Sequence, residues 1–154
     1  MPALQETRTS VTLAPAKPTG LADLGVLPAE GLAVKKGRVH EFPQLLADGS
    51  IGRRFQDLKV IAIRTEEAGA PLVRLVVQFE VFGDNTAAAE AGPGFEAVLK
   101  AGATPLATFT SGSLFLPFGN FWYANRFAFA VPVADFDAAD TLEFVAKAEE
   151  VRAI

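Results

Sequence analysis

Leu72-Val73-Arg74-Leu75-Val76-Val77-Gln78-Phe79-Glu80-Val81-Phe82 alternates without a break. Val73, Leu75, Val77, Phe79 and Val81 fall on one side; Arg74, Val76, Gln78, Glu80 and Phe82 fall on the other. Successive side chains of a strand point to opposite faces, so a period of two predicts a strand with one face in a core. Just upstream, Leu58-Lys59-Val60-Ile61-Ala62-Ile63-Arg64-Thr65 is a run rich in β-branched residues. The polar connection Glu66-Glu67-Ala68-Gly69-Ala70-Pro71 separates the two, and they read as long antiparallel partners.

Working outward, the strand signals continue. Gly83-Asp84-Asn85 opens a loop of small residues that ends in Gly92-Pro93-Gly94. Phe95 to Lys100 reads as a short strand, and Leu106–Thr110 with Leu114–Phe118 as a hairpin around Ser111-Gly112-Ser113. Phe121 to Val133 is a further run, and Thr141 to Val151 a last one, with its first half strand and its second half open to either strand or helix. A short helix is expected at Pro43-Gln44-Leu45-Leu46-Ala47, stopped by Asp48-Gly49. The expected fold class is all-β, a single β-sandwich or small barrel of about seven strands with an extended N-terminal arm.

The arm is the expectation for residues 1–46, and the β-rich body for residues 47–154. Five of the ten prolines fall at or before Pro43, which favours extended backbone over helix. Leu4, Val11, Leu13, Leu21, Leu24, Val26 and Leu27 dot this stretch, too many apolar positions for a solvated tail. Such an arm is expected to lie along its own body or a neighbouring subunit, to supply most of the association energy and to be dispensable for folding of the body.

Composition removes whole classes of chemistry. In 154 residues there is no cysteine, which excludes disulfides, thiolate metal sites and thiol nucleophiles, and one histidine, His40. The net charge of −4 argues against a nucleic-acid binder, and no apolar run approaches the length of a membrane helix. Met1 to Glu6 carries no basic start of a signal peptide. Asn, Gln and Met are scarce, a trait shared by heat-adapted proteins and by products of GC-rich genomes. Residues 1–64 hold nine Lys/Arg against six Asp/Glu, and residues 65–154 five against twelve, so a basic-leaning arm faces an acidic body.

Each candidate site has a plainer reading beside it. His40 next to Glu41 lacks converging partners for acid–base or metal chemistry and reads as a surface residue. Asp135, Asp137 and Asp140 offer an oxygen cluster, but without the glycine and distal glutamate of a calcium loop they read as turn chemistry. No phosphate loop and no nucleophile elbow occurs, so no catalytic, cofactor or metal residue is assigned and the chain is expected not to be an enzyme. The aromatic stretch is more informative. Phe121, Trp122 and Tyr123 are consecutive, so a strand must turn some of them outward, and with Arg126 they suit a subunit interface or a carbohydrate platform.

A small, acidic, cysteine-free β body behind an apolar-dotted arm from Met1 to Leu46 resembles, as an architecture, the capsid decoration (cementing) proteins of tailed bacteriophages. The resemblance implies a homo-oligomer, a trimer, on the outer surface of a virion, with the major capsid protein or another protein surface as partner. Outside a virion the expected location is the cytoplasm. No motif carries a family residue across. The alternative is a β-sandwich binding module that presents its aromatics to a glycan or a peptide.

Overall fold

The computed structural model describes residues 3–16, 33–67, 70–82, 95–111, 122–147 and 149–150. In chain order these form β1 (Ala3–Leu4), β2 (Thr7–Thr12), β3 (Ala14–Ala16), β4 (Ala33–Leu45), β5 (Ile51–Glu67) and β6 (Ala70–Phe82). There follow β7 (Phe95–Ala101), β8 (Thr104–Thr110), β9 (Trp122–Val131), α1 (Val133–Ala138), β10 (Thr141–Ala146) and β11 (Glu149–Glu150). Among the described residues no helix is long and apolar enough to cross a membrane.

The alternating stretch is β6, and its register with β5 pairs Val60 with Val77 and Ala62 with Leu75 on the inner face. Two antiparallel sheets result: one of four strands in the order β2-β10-β7-β8, and one of five in the order β3-β4-β5-β6-β9. They stay separate sheets, so the fold is a β-sandwich and not a barrel. β1 and β11 form a small antiparallel pair of their own.

Between the sheets lies an aromatic centre. Phe42, Phe55 and Phe79 come from the five-stranded sheet, and Phe95 and Phe144 from the four-stranded one. Phe79 lies 4.8 Å from Phe95 and 5.0 Å from Phe144, both edge to face, while Phe42 stacks on Phe55 at 4.8 Å. Such offset geometry suits rings whose faces are negative and whose edges are positive. At the open side, Phe109 of β8 stacks on Phe129 of β9 at 4.8 Å, bringing the two edge strands together through rings rather than through backbone hydrogen bonds.

The sandwich has about nine strands instead of seven because the expected arm supplies three of them. β2 pairs with β10, β3 with β4, and β4 with β5 along its whole length. The chain passes from the four-stranded to the five-stranded sheet at Leu13, whose N–H donates to the carbonyl of Asp140 at 2.8 Å. Leu4, Val11 and Leu13 are buried in this molecule's own interior. The described parts of the expected arm, residues 3–16 and 33–45, are extended, and the boundary expected at residue 46 falls inside the turn of the β4–β5 hairpin. Leu21, Leu24, Val26 and Leu27 lie outside the described residues.

Two local expectations are corrected. Pro43 to Leu45 end β4 instead of starting a helix, because Phe42 and Gln44 point inward at strand spacing, while Asp48 accepts from the Ser50 N–H at 2.9 Å to close the turn. The Asp-containing segment before β10, read as a turn, holds the short helix α1. Thr141 to Ala146 is strand, as expected of the first half of the last run. The hairpin partner expected at Leu114–Phe118 lies outside the described residues.

Candidate interaction surface

The outward faces of the two sheets differ in how their charges are met. On the four-stranded sheet, Glu143 of β10 accepts from Arg8 of β2 at 2.6 Å and from Lys100 of β7 at 3.1 Å. Lys147 pairs with Glu96 at 3.1 Å. Burial pushes the Glu143 carboxyl up, but its hydrogen bonds from Lys100 and Arg8 together outweigh that and hold it below the usual carboxylate range. Val145, opposite Arg8 on one side and Glu96 on the other, is fully buried within this ladder. Long charged side chains cover apolar surface with their stems in this way.

The five-stranded sheet carries cations of another kind. Its register sets Pro43, Arg54, Phe82 and Trp122 side by side across β4, β5, β6 and β9, and sets Arg38, Lys59, Gln78 and Arg126 in a second row. Arg38 is paired with Asp57 at 2.6 Å, and the hydrogen bond from Arg38 holds that carboxyl below its ordinary value. Arg54, Lys59 and Arg74 make no ion pair among the described residues. Val34, Ile61, Ile63 and Val76 form a second, smaller apolar cluster on the same face.

Arg54 is placed by aromatic rings. Its guanidinium carbon stands 4.4 Å from the centre of Phe82 and 5.9 Å from that of Trp122, and the two rings meet edge to face at 5.2 Å. Stacking holds the flat face of the guanidinium and leaves its N–H edge, with five donors, open to a partner. Arg54 itself is exposed and both rings are half-buried. Next to Pro43, the hairpin end presents Leu45, 37% exposed, directly opposite Ile51, 54% exposed. These two are the exposed large aliphatic side chains among the described residues, and they border the Arg54 row.

The expected site residues are separated by this architecture. Strand alternation puts Trp122 and Arg126 on the outward face and turns Tyr123 to the opposite side, where burial pushes its hydroxyl pKa up. Phe121 lies outside the described residues. Leu4, Val11 and Leu13 face the core. Reading the sequence missed Arg54, Phe82, Leu45 and Ile51. Phe82 was visible as an outward member of the alternation, but its meeting with Trp122 needs the β6–β9 register, which no local pattern encodes.

The other candidates do not converge. His40 is exposed on β4. Asp140 accepts from the Gly102 N–H at 2.9 Å and from Thr141 at 3.0 Å, and those bonds, the Gly102 one foremost, hold its carboxyl low. Asp137 pairs with Arg64 at 3.2 Å, and Asp135 sits in the first turn of α1. Asp137 and Asp140 are thus engaged with different neighbours, and among the described residues no three His, Asp or Glu side chains are grouped as metal ligands. No protein-family model matches the chain, and neither a curated protein nor a solved structure matches it.

Proposed function

We propose that this chain is a non-enzymatic structural protein that attaches to a protein surface in the manner of a capsid decoration protein, as a homo-oligomer, through the Trp122 end of its five-stranded sheet. The observation that carries this reading is the row Pro43, Arg54, Phe82 and Trp122 bordered by exposed Leu45 and Ile51. Arginine and large aromatics held in place by their neighbours are the residues that dominate protein interfaces. Because Leu4, Val11 and Leu13 face the core, attachment is assigned to the sheet face and not to those arm side chains.

Sedimentation tests this directly. The chain is expected to show an oligomeric mass, or to co-sediment with shells of a major capsid protein, and Trp122→Ala is expected to weaken that association with the far-UV spectrum unchanged. A monomer at every concentration that leaves such shells bare would remove the reading. A half-exposed tryptophan beside a guanidinium favours a second reading, a glycan-binding module. Trp122 is the only tryptophan, so a saturable fluorescence change with a soluble polysaccharide would select that reading instead.

A further inference from the structure

We infer that the Arg54 row recognises a carboxylate flanked by apolar side chains, so that the partner presents an acidic, apolar segment of polypeptide to this face. The inference rests on the reading of this face as an attachment surface and names the chemistry of what attaches.

Three observations converge. First, Arg54 is pre-positioned: Phe82 and Trp122 hold the guanidinium plane, and no carboxylate among the described residues pairs with it. Glu80, one row along on β6, accepts from Gln56 at 2.7 Å and not from Arg54. A guanidinium with its flat face fixed loses little freedom when its edge meets a carboxylate, and that planar fork matches a carboxylate with two parallel hydrogen bonds.

Second, cations outnumber carboxylates on this face. Arg8, Lys100 and Lys147 are ion-paired at the four-stranded sheet. Arg54, Lys59 and Arg74, which make no ion pair among the described residues, stand on the outward face of the five-stranded sheet, against Glu41 and Glu80 in the row beside Arg54. An acidic surface is therefore the one that this face steers toward itself and holds in register.

Third, the border is apolar. Leu45 pairs across the hairpin with Ile51, and Pro43, two residues before Leu45, stands directly opposite Arg54. Excluding water around a guanidinium–carboxylate pair strengthens it, and apolar neighbours on the ligand are what these three side chains would exclude it with. A bare anion would leave them in water, so the ligand is a peptide segment and not an inorganic ion.

Trp122 reports on the site. Its fluorescence is followed in the intact chain while a hexapeptide alternating leucine with aspartate is added, and again with the same peptide carrying asparagine. The acidic peptide is expected to give a saturable change that weakens as salt is raised, and the asparagine peptide little or none. Arg54→Gln is expected to weaken binding about ten- to hundredfold, the range of a lost charge-assisted contact. Arg54→Lys is expected to recover only part, since it keeps the charge without the fork, and Arg8→Gln on the other sheet to change nothing. Equal binding of both peptides, or an unaffected Arg54→Gln variant, overturns the inference. So does self-association through this face with no response to either peptide, which would make a second copy the occupant. If Trp122→Ala abolishes shell attachment while Arg54→Gln leaves it whole, the carboxylate falls and the attachment reading stands. If only polysaccharide moves the Trp122 signal, both fall.

Discussion

Gly37 lies on β4 where the chain passes from β2 to β3. A Cβ placed there would stand 2.2 Å from the carbonyl oxygen of Thr12 and 2.5 Å from Val11 Cγ1. The nearer obstacle is backbone and cannot swing aside. Gly37→Ala is expected to cost about 1–3 kcal/mol, the range for forcing atoms into a packed interior, seen as a lower urea midpoint with an unchanged slope. In sequence, Lys35-Lys36-Gly37-Arg38 reads only as a basic patch, because the close approach comes from residues far upstream. Asp57 is a similar case. Its φ of 52° puts a non-glycine residue in the left-handed region, at the irregularity where β5 shifts register against β6. A short polar side chain tolerates that region better than a branched one, and its pairing with Arg38 adds a reason for Asp.

At the scale of elements, the expected arm changes its meaning. β2 covers one edge of β10, and Leu4, Val11 and Leu13 bury their side chains in the core. Burial of each contributes roughly 1.5–3 kcal/mol, and a domain of this kind is stable by only about 5–15 kcal/mol in all. Deleting residues 1–34 is therefore expected to abolish cooperative unfolding by heat, where an arm lying outside the body would leave the transition in place. The composition of the stretch pointed to extended backbone lying on a surface; for residues 3–16 and 33–45, which the structure describes, that surface is the molecule's own. The helix α1 was illegible for a related reason. Six residues are too few to hold a helix alone, and no side chain caps its N-terminus. It is held by burial of Phe136 and by Lys35, whose ammonium donates to the carbonyls of Phe136, Asp137 and Ala139 at its C-terminal end. That cation is about a hundred residues away in the chain.

For the molecule as a whole, the carboxylates set the response to acid. Asp48, Asp57, Asp140 and Glu143 all have pKa values held below their ordinary range. A depressed carboxyl in the folded state stabilises above its unfolded pKa and loses that contribution as pH falls through the folded value. Stability is thus expected to be level near neutrality and to fall below about pH 5, where unfolded carboxylates begin to protonate. Glu143→Gln is expected to make that acid limb shallower, measured by urea midpoints across the pH range, because the Arg8–Glu143–Lys100 ladder then has no carboxyl to protonate.

Strand content, the antiparallel β5–β6 pair and the all-β class were written in the sequence, since period two and turn chemistry are local and survive any tertiary arrangement. The same locality made it certain that Trp122 and Tyr123 point to opposite sides of their strand. What only the tertiary structure decided is which strands become neighbours. That sets Arg54 against Phe82 and Trp122, places Leu13 at the crossing between sheets and brings Lys35 to the end of α1. Register between strands far apart in the chain depends on how side chains from both sheets fill one shared interior, and no window of residues contains that information.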